Sequence, residues 1–421
     1  MTKFNQKEDA KFLNVNYHQL RHQLKNIIFY HEEPKMKIGI LTSGGDVPGL
    51  NACIKAIVVG AEQNGWDCVG IKRGWRGLLD YNPDGDPEKN RSLSQPLHLS
   101  ELRGIENVGG TFLHTSRYNP VQINAEFLPE FLKDNVPAST FKEGTFDCTD
   151  HILKILDLME IDALIPIGGD GSLRFAAQLT KKNFPVISIP KTMDNDVNGT
   201  DYCIGFSTCV TRCVNSINKI RSTAASHERI AIIELFGRHS GEPALLSGHI
   251  ASADRVLIPE VAIDLNHFSD LIISDRVRNS ENYAVAVVAE GAKLKDGNII
   301  YQGKKDQYGN EKLGGIGDIL YEDLRQNHNV SVLTQPLAYL LRSGEPDALD
   351  KLVAGNFGAM AIQQIEKKNY GKMTAIIDGN YQLADNDCVL TPQENLIVSN
   401  VYDEKNYKPD IRNILGRAMY L

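Results

Sequence analysis

Short apolar runs rich in β-branched residues recur along the chain, each bounded by glycine, proline or charge. Lys37–Leu41, Ala163–Ile167, Pro185–Ile189, Arg229–Leu235, Tyr283–Ala289 and Met373–Ile377 are almost uninterrupted. Runs of that kind suit strands covered on both faces, as in a parallel sheet. Between them, Asn51–Asn64, His151–Glu160, Ser172–Lys182, Thr208–Ala225 and Pro346–Lys367 carry apolar residues at helical spacing. Strand and helix in alternation predict an α/β protein, not a sandwich or a bundle. Asp80–Pro96 and Gly303–Gly317 interrupt the pattern and read as loops. Residues 1–36 mix charge with weak helical periodicity around Phe12 to Tyr30. They read as an extension that packs on the body or on a partner subunit.

Composition narrows the class. The 421 residues leave room for two or three domains. The net charge of −8 does not suggest a general affinity for nucleic acid or acidic membranes. Seven Cys, at positions 53, 68, 148, 203, 209, 213 and 388, form no CxxC pair. Cys209 and Cys213 are four apart on a helix-patterned segment, a weak metal signal with no His beside it. Scattered and odd in number, the cysteines read as reduced thiols. Met1–Lys35 lacks the apolar core of a signal peptide, and no run approaches the ~18 apolar residues of a membrane span. A soluble, cytoplasmic protein is the expectation.

Three strand ends carry the candidate chemistry. Lys37–Leu41 runs into Thr42-Ser43-Gly44-Gly45-Asp46-Val47-Pro48-Gly49-Leu50-Asn51 and then a helix. Glycines there let backbone amides close on phosphate, and the helix adds its positive N-terminus. A plain glycine-rich βα turn would look the same, so this element alone leaves both readings open. The second is Ile167-Gly168-Gly169-Asp170-Gly171-Ser172, where Asp170 suits either Mg²⁺ against phosphate oxygens or a helix N-cap. The third is Pro190-Lys191-Thr192-Met193-Asp194-Asn195-Asp196. Two carboxylates at i and i+2 need a proton, a cation or a partner to offset them. A hydroxyl acceptor needs a base, and phosphoryl transfer needs positive charge around the moving group. A solvated acidic turn is the plain alternative.

Together these elements resemble the phosphofructokinase family, over nearly all of the chain from Lys37 onward. The motifs are GGDVPGLN, GGTFLHTSR, GGDGS, PKTMDND, ELFGR, IPE, AEGA and RSGEPDALD. The resemblance implies two Rossmann-like, doubly wound α/β/α domains with the active site in the cleft between them. It implies a phosphoryl-donor domain, 37–205 plus about 342–392, and a sugar-phosphate domain, 206–341 plus about 393–421. By resemblance, Asp194 takes the proton from the 1-hydroxyl of fructose 6-phosphate, Asp196 assists, and Asp170 holds Mg²⁺. Gly45, Gly171 and Ser172 line the donor site. Arg117 and Arg238 steady the transferring phosphoryl group, and Thr192 contacts both substrates. Phe236, Gly237, Glu260, Tyr339 and Arg342 fall in the sugar-phosphate site. Arg229 matches an arginine that reaches a neighbouring subunit's sugar phosphate, which implies a homodimer or homotetramer.

Departures from the bacterial pattern matter too. Phe236 stands for a usual Met, Tyr339 for a usual His, and Leu333 for a usual intersubunit Arg. They bring Leu333–Gly344 closer to the branch of pyrophosphate-dependent and trypanosome-like enzymes. Lys55 and Val59 stand where bacterial effector-binding arginines are found. Trp75 replaces a tyrosine near the nucleotide, while read alone it is a core or interface residue. On the donor, Gly171 leaves room for ATP where pyrophosphate users carry Asp, whereas Lys191 is typical of the pyrophosphate branch. An absent side chain cannot block and a lysine can move, so ATP is the expected donor and pyrophosphate the alternative. A dinucleotide oxidoreductase would need GxGxxG after the first strand, which is missing. A non-catalytic regulatory relative would have lost Asp194, Asp196 or Arg238.

Overall fold

The computed structural model describes residues 35–133, 141–142, 144–295, 301–305, 311–391, 396 and 398–410. The helical reading of Phe12 to Tyr30 lies outside them, as do parts of Gly303–Gly317 and of 393–421. The chain divides between Met36 and Lys37, and Lys37–Leu421 is the larger unit.

The strands of its two large sheets are β1 (Lys37–Ser43), β2 (Asp67–Ile71), β3 (Ser94–Leu97), β4 (Ala163–Gly168), β5 (Ile187–Pro190), β6 (Ile230–Leu235), β7 (Arg255–Leu257), β8 (Ala284–Ala289), β9 (Val332–Pro336), β10 (Lys372–Ile377) and β11 (Asn380–Asp385). Short strands elsewhere include the antiparallel pair Tyr301–Lys305 and Glu311–Leu313, in and beside the stretch Gly303–Gly317 that the pattern read as loop. The longer helices are α1 (Leu50–Gln63), α2 (Thr149–Leu158), α3 (Asp170–Lys181), α4 (Phe206–Ser226), α5 (Glu242–Ile250), α6 (Leu265–Arg278), α7 (Ile316–Gln326) and α8 (Ala348–Glu366). All six apolar runs form strands, and all five helix-patterned segments form helices, within a residue or two.

Two sheets result. The larger has the order β11-β10-β5-β4-β1-β2-β3, parallel from β10 to β2 with antiparallel edges. The smaller, β7-β8-β6-β9, is parallel throughout. The uninterrupted runs explain the parallel centre: β4 and β8 are buried along their whole length. In the larger sheet the chain leaves β1 for β2 on one side and later lays β4 on the other. Such a reversal opens a crevice at the strands' carboxyl ends. Ser43 is in register with Gly168, and Gly168 with Pro190, so all three motif turns leave neighbouring strand ends at one level.

The structure departs from the sequence pattern at edges and short elements. Asp80–Pro96, read as loop, holds a one-turn helix at Pro87–Arg91, capped by Asp86 accepting from the Glu88 amide at 2.9 Å. It also holds most of β3, an edge strand that tolerates Pro96 because its outer amides need no partner. The pattern also misses β7, too short for a period, and β11, an exposed edge. Trp75 belongs to the core: it is fully buried and meets Phe175 edge-on at 4.7 Å. The nucleotide-side role suggested for that position is not where its ring lies.

The RSGEPDALD segment ties two helix starts together. Asp347 caps α8 by accepting from the Asp350 amide at 2.9 Å. Asp350 is fully buried and accepts from Tyr202 Oη and the Gly205 amide, each at 2.7 Å, and from the Thr208 amide at 2.8 Å. It thus serves the orphan amides of α4 from within α8. Burial pushes its carboxyl up to about 6 in spite of these donors. Asp350→Ala should lower unfolding free energy by about 3 kcal/mol, since it strands several buried donors at once. Urea unfolding checks this, and an unchanged midpoint would contradict it.

Candidate active site

The carboxyl ends of β1, β4 and β5 line a cavity of about 350 Å³. At β1, Gly44 has φ +89°, a conformation that glycine adopts without strain. The strap Thr111–Ser116 is sewn to this turn: the Gly44 amide donates to Ser116 O at 2.9 Å, and Thr115 Oγ1 to Gly44 O at 2.7 Å. The strap delivers Arg117. A side chain at Gly45 would stand 2.9 Å from Arg342 Nη1 and 3.2 Å from Arg117 Nη2, so glycine there leaves space for two guanidiniums. At β4, Gly168 lets α3 pack tightly, because a Cβ would meet that of Ser172 at 2.5 Å. The N-terminus of α3 therefore opens on the cavity, as anion sites do. A Cβ at Gly171 would meet nothing within 4 Å. Asp170, also in this first turn, takes Arg174 Nε at 2.8 and 3.0 Å on its two oxygens.

At β5, Lys191 is buried and donates from Nζ to Gly45 O at 2.7 Å, bridging the first and third turns. Burial, then Arg342 and Arg117, bring its ammonium down to about 8. Thr192 Oγ1 accepts from the Asp194 amide at 3.1 Å and donates to Asp196. Asn195, between the carboxylates, has φ +53°. This left-handed residue makes a tight turn that sends Asp194 and Asp196 into the cavity. Asp194 is pushed up to about 8 by burial, then by Asp196 and Glu290. Its Oδ1 is buried with no hydrogen-bond partner. Burial also raises Asp196.

The smaller sheet supplies the opposite wall. Gly237 follows β6 with φ +136° and leads to Arg238. A Cβ at Gly291 would come within 2.0 Å of Arg238 O, so the turns after β6 and β8 pack backbone to backbone. Arg342, beyond β9, lies 4.7 Å from the Phe236 ring centre and 5.6 Å from that of Tyr339. Its Nε is buried without a partner. Glu290, one residue past β8, is raised to about 7 by burial and Glu234, against the pull of Arg342, Arg238 and Arg117. A poised carboxylate, a bridging ammonium and three guanidiniums around one anion-sized space are what transfer of a phosphoryl group to a hydroxyl requires.

The phosphofructokinase family model matches residues 37–365. The chain belongs to the phosphofructokinase family. An ATP-dependent 6-phosphofructokinase of Streptomyces coelicolor is 35% identical over 343 residues, covering 81% of this chain and 91% of the relative. A pyrophosphate–fructose 6-phosphate 1-phosphotransferase of Dictyoglomus thermophilum is 35% identical over 350 residues, covering 81% and 90%. Among solved structures, a pyrophosphate-dependent phosphofructokinase of Marinobacter aquaeolei superposes with a TM-score of 0.69 at 17% identity, covering 89% of each chain. Phosphofructokinase of Saccharomyces cerevisiae gives 0.66 at 24% identity, covering 85% of this chain and 45% of that one. The phosphofructokinase fold, with its two α/β layers, and phosphotransferase activity follow from the family.

In this chain, eleven of the residues singled out in the sequence line the cavity: Gly45, Arg117, Asp170, Gly171, Ser172, Lys191, Thr192, Asp194, Asp196, Arg238 and Arg342. Phe236 and the largely exposed Tyr339 join them through the Arg342 guanidinium, and Gly237 shapes the backbone before Arg238. Two do not join. Arg229 precedes β6 and Arg238 follows it, so the six-residue strand, roughly 20 Å of extended backbone, lies between them. Glu260 is not among the cavity-lining residues; it accepts from the Gly241 amide at 2.8 Å, in support of the start of α5. Glu290 is not among the cavity-lining residues either, but it lies near enough to Arg342, Arg238 and Arg117 for their charge to oppose the rise of its carboxyl. Its signal was available: it follows the Tyr283–Ala289 run directly, at the same strand-end position as the other motif residues. Asp46 also lines the cavity, and it is the third residue of a Gly-Gly-Asp turn just as Asp170 is.

Proposed function

We propose that the chain is a cytoplasmic, glycolytic 6-phosphofructokinase that transfers the γ-phosphoryl group of ATP to the 1-hydroxyl of fructose 6-phosphate, giving fructose 1,6-bisphosphate. The observation that carries the choice of ATP is the open space at Gly171, in the first turn of the helix that faces the cavity. Asp194 removes the hydroxyl proton, with Thr192 fixing the turn and holding Asp196. Arg117 and Arg238 bear on the moving phosphoryl group, and Lys191 on the phosphate that leaves. Arg342, Glu260, Phe236 and Tyr339 receive the sugar phosphate, with Glu290 close to the arginines.

The carboxylates fit Mg²⁺. Asp170, Asp194 and Asp196 line one cavity, Asp194 keeps an unpartnered buried oxygen, and Asp170 retains acceptor capacity beyond the Arg174 contact. Among the described residues no three such groups converge as a complete cage. Mg²⁺ in phosphoryl-transfer sites is held by one or two carboxylates together with phosphate oxygens. Bound there, it would neutralise charge on the donor phosphates.

Pyrophosphate is the second reading, favoured by Lys191 buried beside the glycine turns and by relatives of both kinds at similar identity. The division into a donor domain (37–205 with about 342–392) and a sugar-phosphate domain (206–341 with about 393–421) accords with where the two sheets fall in the chain. The position of Arg229, far from its own chain's cavity, favours a homodimer or homotetramer in which it serves a neighbour. No helix among the described residues is long and apolar enough to cross a membrane.

A coupled assay with fructose 6-phosphate, Mg²⁺ and either ATP or pyrophosphate tests the reading. Turnover with ATP at least tenfold faster than with pyrophosphate is expected. The reverse ratio would establish the second reading, and no turnover with either would remove both.

A further inference from the structure

The turn that presents Asp194 and Asp196 is held from the opposite wall of the cavity. Asn195, between them, has no free polar atom on its side chain. Its Oδ1 accepts from the Cys203 amide at 2.8 Å, while Nδ2 donates to Asp201 O at 2.9 Å and meets both carboxyl oxygens of Glu242 at 3.2 Å. Two of these partners are backbone groups within eight residues of Asn195. Glu242 is different, because it opens α5 and lies four residues after Arg238.

Its own position is fixed in turn. The Gly241 amide donates to Glu260 Oε1 at 2.8 Å, and a Cβ at Gly241 would stand 2.5 Å from Glu260 Oε2 and from Ile258 Cβ. The backbone carrying Glu242 thus sits firmly against the segment that follows β7. Glu242 itself is 7% exposed. A buried carboxyl whose oxygens both meet one amide on a left-handed turn has a geometric task.

We propose that Glu242, acting through Asn195, is a positioning residue: it sets the Asp194–Asp196 turn against the segment that carries Arg238. The distance from the base to the phosphoryl group that Arg238 steadies then depends on this clamp between the two walls. Displacement of reacting groups by about 1 Å costs on the order of 10²-fold in rate. Glu260 acquires a part as well, anchoring the clamp through Oε1 while its Oε2 stays without a hydrogen-bond partner. The inference rests on the phosphoryl-transfer reading above.

The test is a double-mutant cycle on the full chain with Glu242→Ala, Asn195→Gly and the pair, with Glu242→Gln alongside. Glycine suits φ +53°, so Asn195→Gly removes the clamp without straining the turn. Each single variant should lose roughly 10- to 100-fold in kcat, with KM for either substrate within about threefold. The double variant should be no worse than Asn195→Gly alone, because that change already removes the Glu242 contact along with the bonds to the Cys203 amide and Asp201 O. Glu242→Gln keeps a carbonyl acceptor for Asn195 and should restore most of the rate.

Thermal unfolding of each variant guards against a purely structural effect, which would lower Tm and leave the kcat of the folded fraction intact. Additive losses, or a Glu242→Gln variant as slow as Glu242→Ala, would overturn the proposal. Should Glu242→Ala fail to fold, Asn195→Gly decides alone: wild-type kcat in that variant overturns the clamp. A wild-type chain inactive with both donors would sink the reaction instead. The clamp would then be judged by the Asp194 carboxyl carbon resonance, expected to move in Asn195→Gly; an unmoved resonance would refute it.

Discussion

Asp194→Asn is expected to lower kcat by roughly 10²- to 10⁴-fold, the span over which a positioned general base contributes. Asparagine fills the same volume and cannot take a proton, so binding of both substrates should change little. Loss of kcat with KM preserved is the pattern to look for in steady-state kinetics. The same variant should be more stable than the wild type. Burial, Asp196 and Glu290 push Asp194 up to about 8 from an ordinary value of 3.8. An acid raised in the folded state contributes fully below its unfolded value and costs stability increasingly as pH rises toward the folded one. The gain in Tm for Asp194→Asn should therefore be absent near pH 4 and grow toward pH 8. For the wild type, the rate should climb with pH as the base ionises, and that limb should vanish from the variant's residual activity. Retained activity, or a variant no more stable at pH 8 than at pH 4, would remove Asp194 from its role.

Gly171→Asp should cut kcat/KM for ATP by on the order of 10²-fold. The backbone permits the change, since a Cβ there has open space around it. An acid in the first turn of α3 even suits the helix dipole, so the fold should hold. What the carboxylate does is repel. Two like charges about 4–5 Å apart at an effective dielectric of 20 oppose each other by about 3–4 kcal/mol. That is several hundredfold before relaxation. On the proposed reading the α-phosphate and nucleoside of ATP reach this turn; pyrophosphate lacks both, so its kcat/KM should fall far less. The ratio of the two donors in one coupled assay is the measurement. ATP use undiminished by the substitution would show that Gly171 does not govern the donor.

Some of this site could be read along the chain and some could not. The Gly44–Gly45, Gly169–Gly171 and Lys191–Asp196 turns were visible because each follows an apolar run directly, and a strand's end is a local event. Lys191 was visible as a charge, yet its place was not. Its ammonium lies against Gly45 O, a partner 146 residues away in sequence. Glu260 and Glu290 look alike in the sequence, as single acids after apolar stretches. Only the order β7-β8-β6 separates them: β8 adjoins β6 and brings Glu290 to the arginines, whereas Glu260 follows the edge strand β7. Glu242 carried no sequence signal, because its meaning lies in Asn195, which belongs to the opposite wall.

By itself, then, the sequence determined the layered α/β class, the parallel centre of the larger sheet, the three glycine- and charge-bearing turns at its strand ends and the acidic pair. Those follow from period, composition and glycine placement within windows of a dozen residues, where local sterics and burial act. The tertiary structure alone decided which charges share the cavity, which turn away from it, and what holds the acidic turn in place. Strand order and register set those outcomes, and both are fixed by packing between segments that local periodicity never compares.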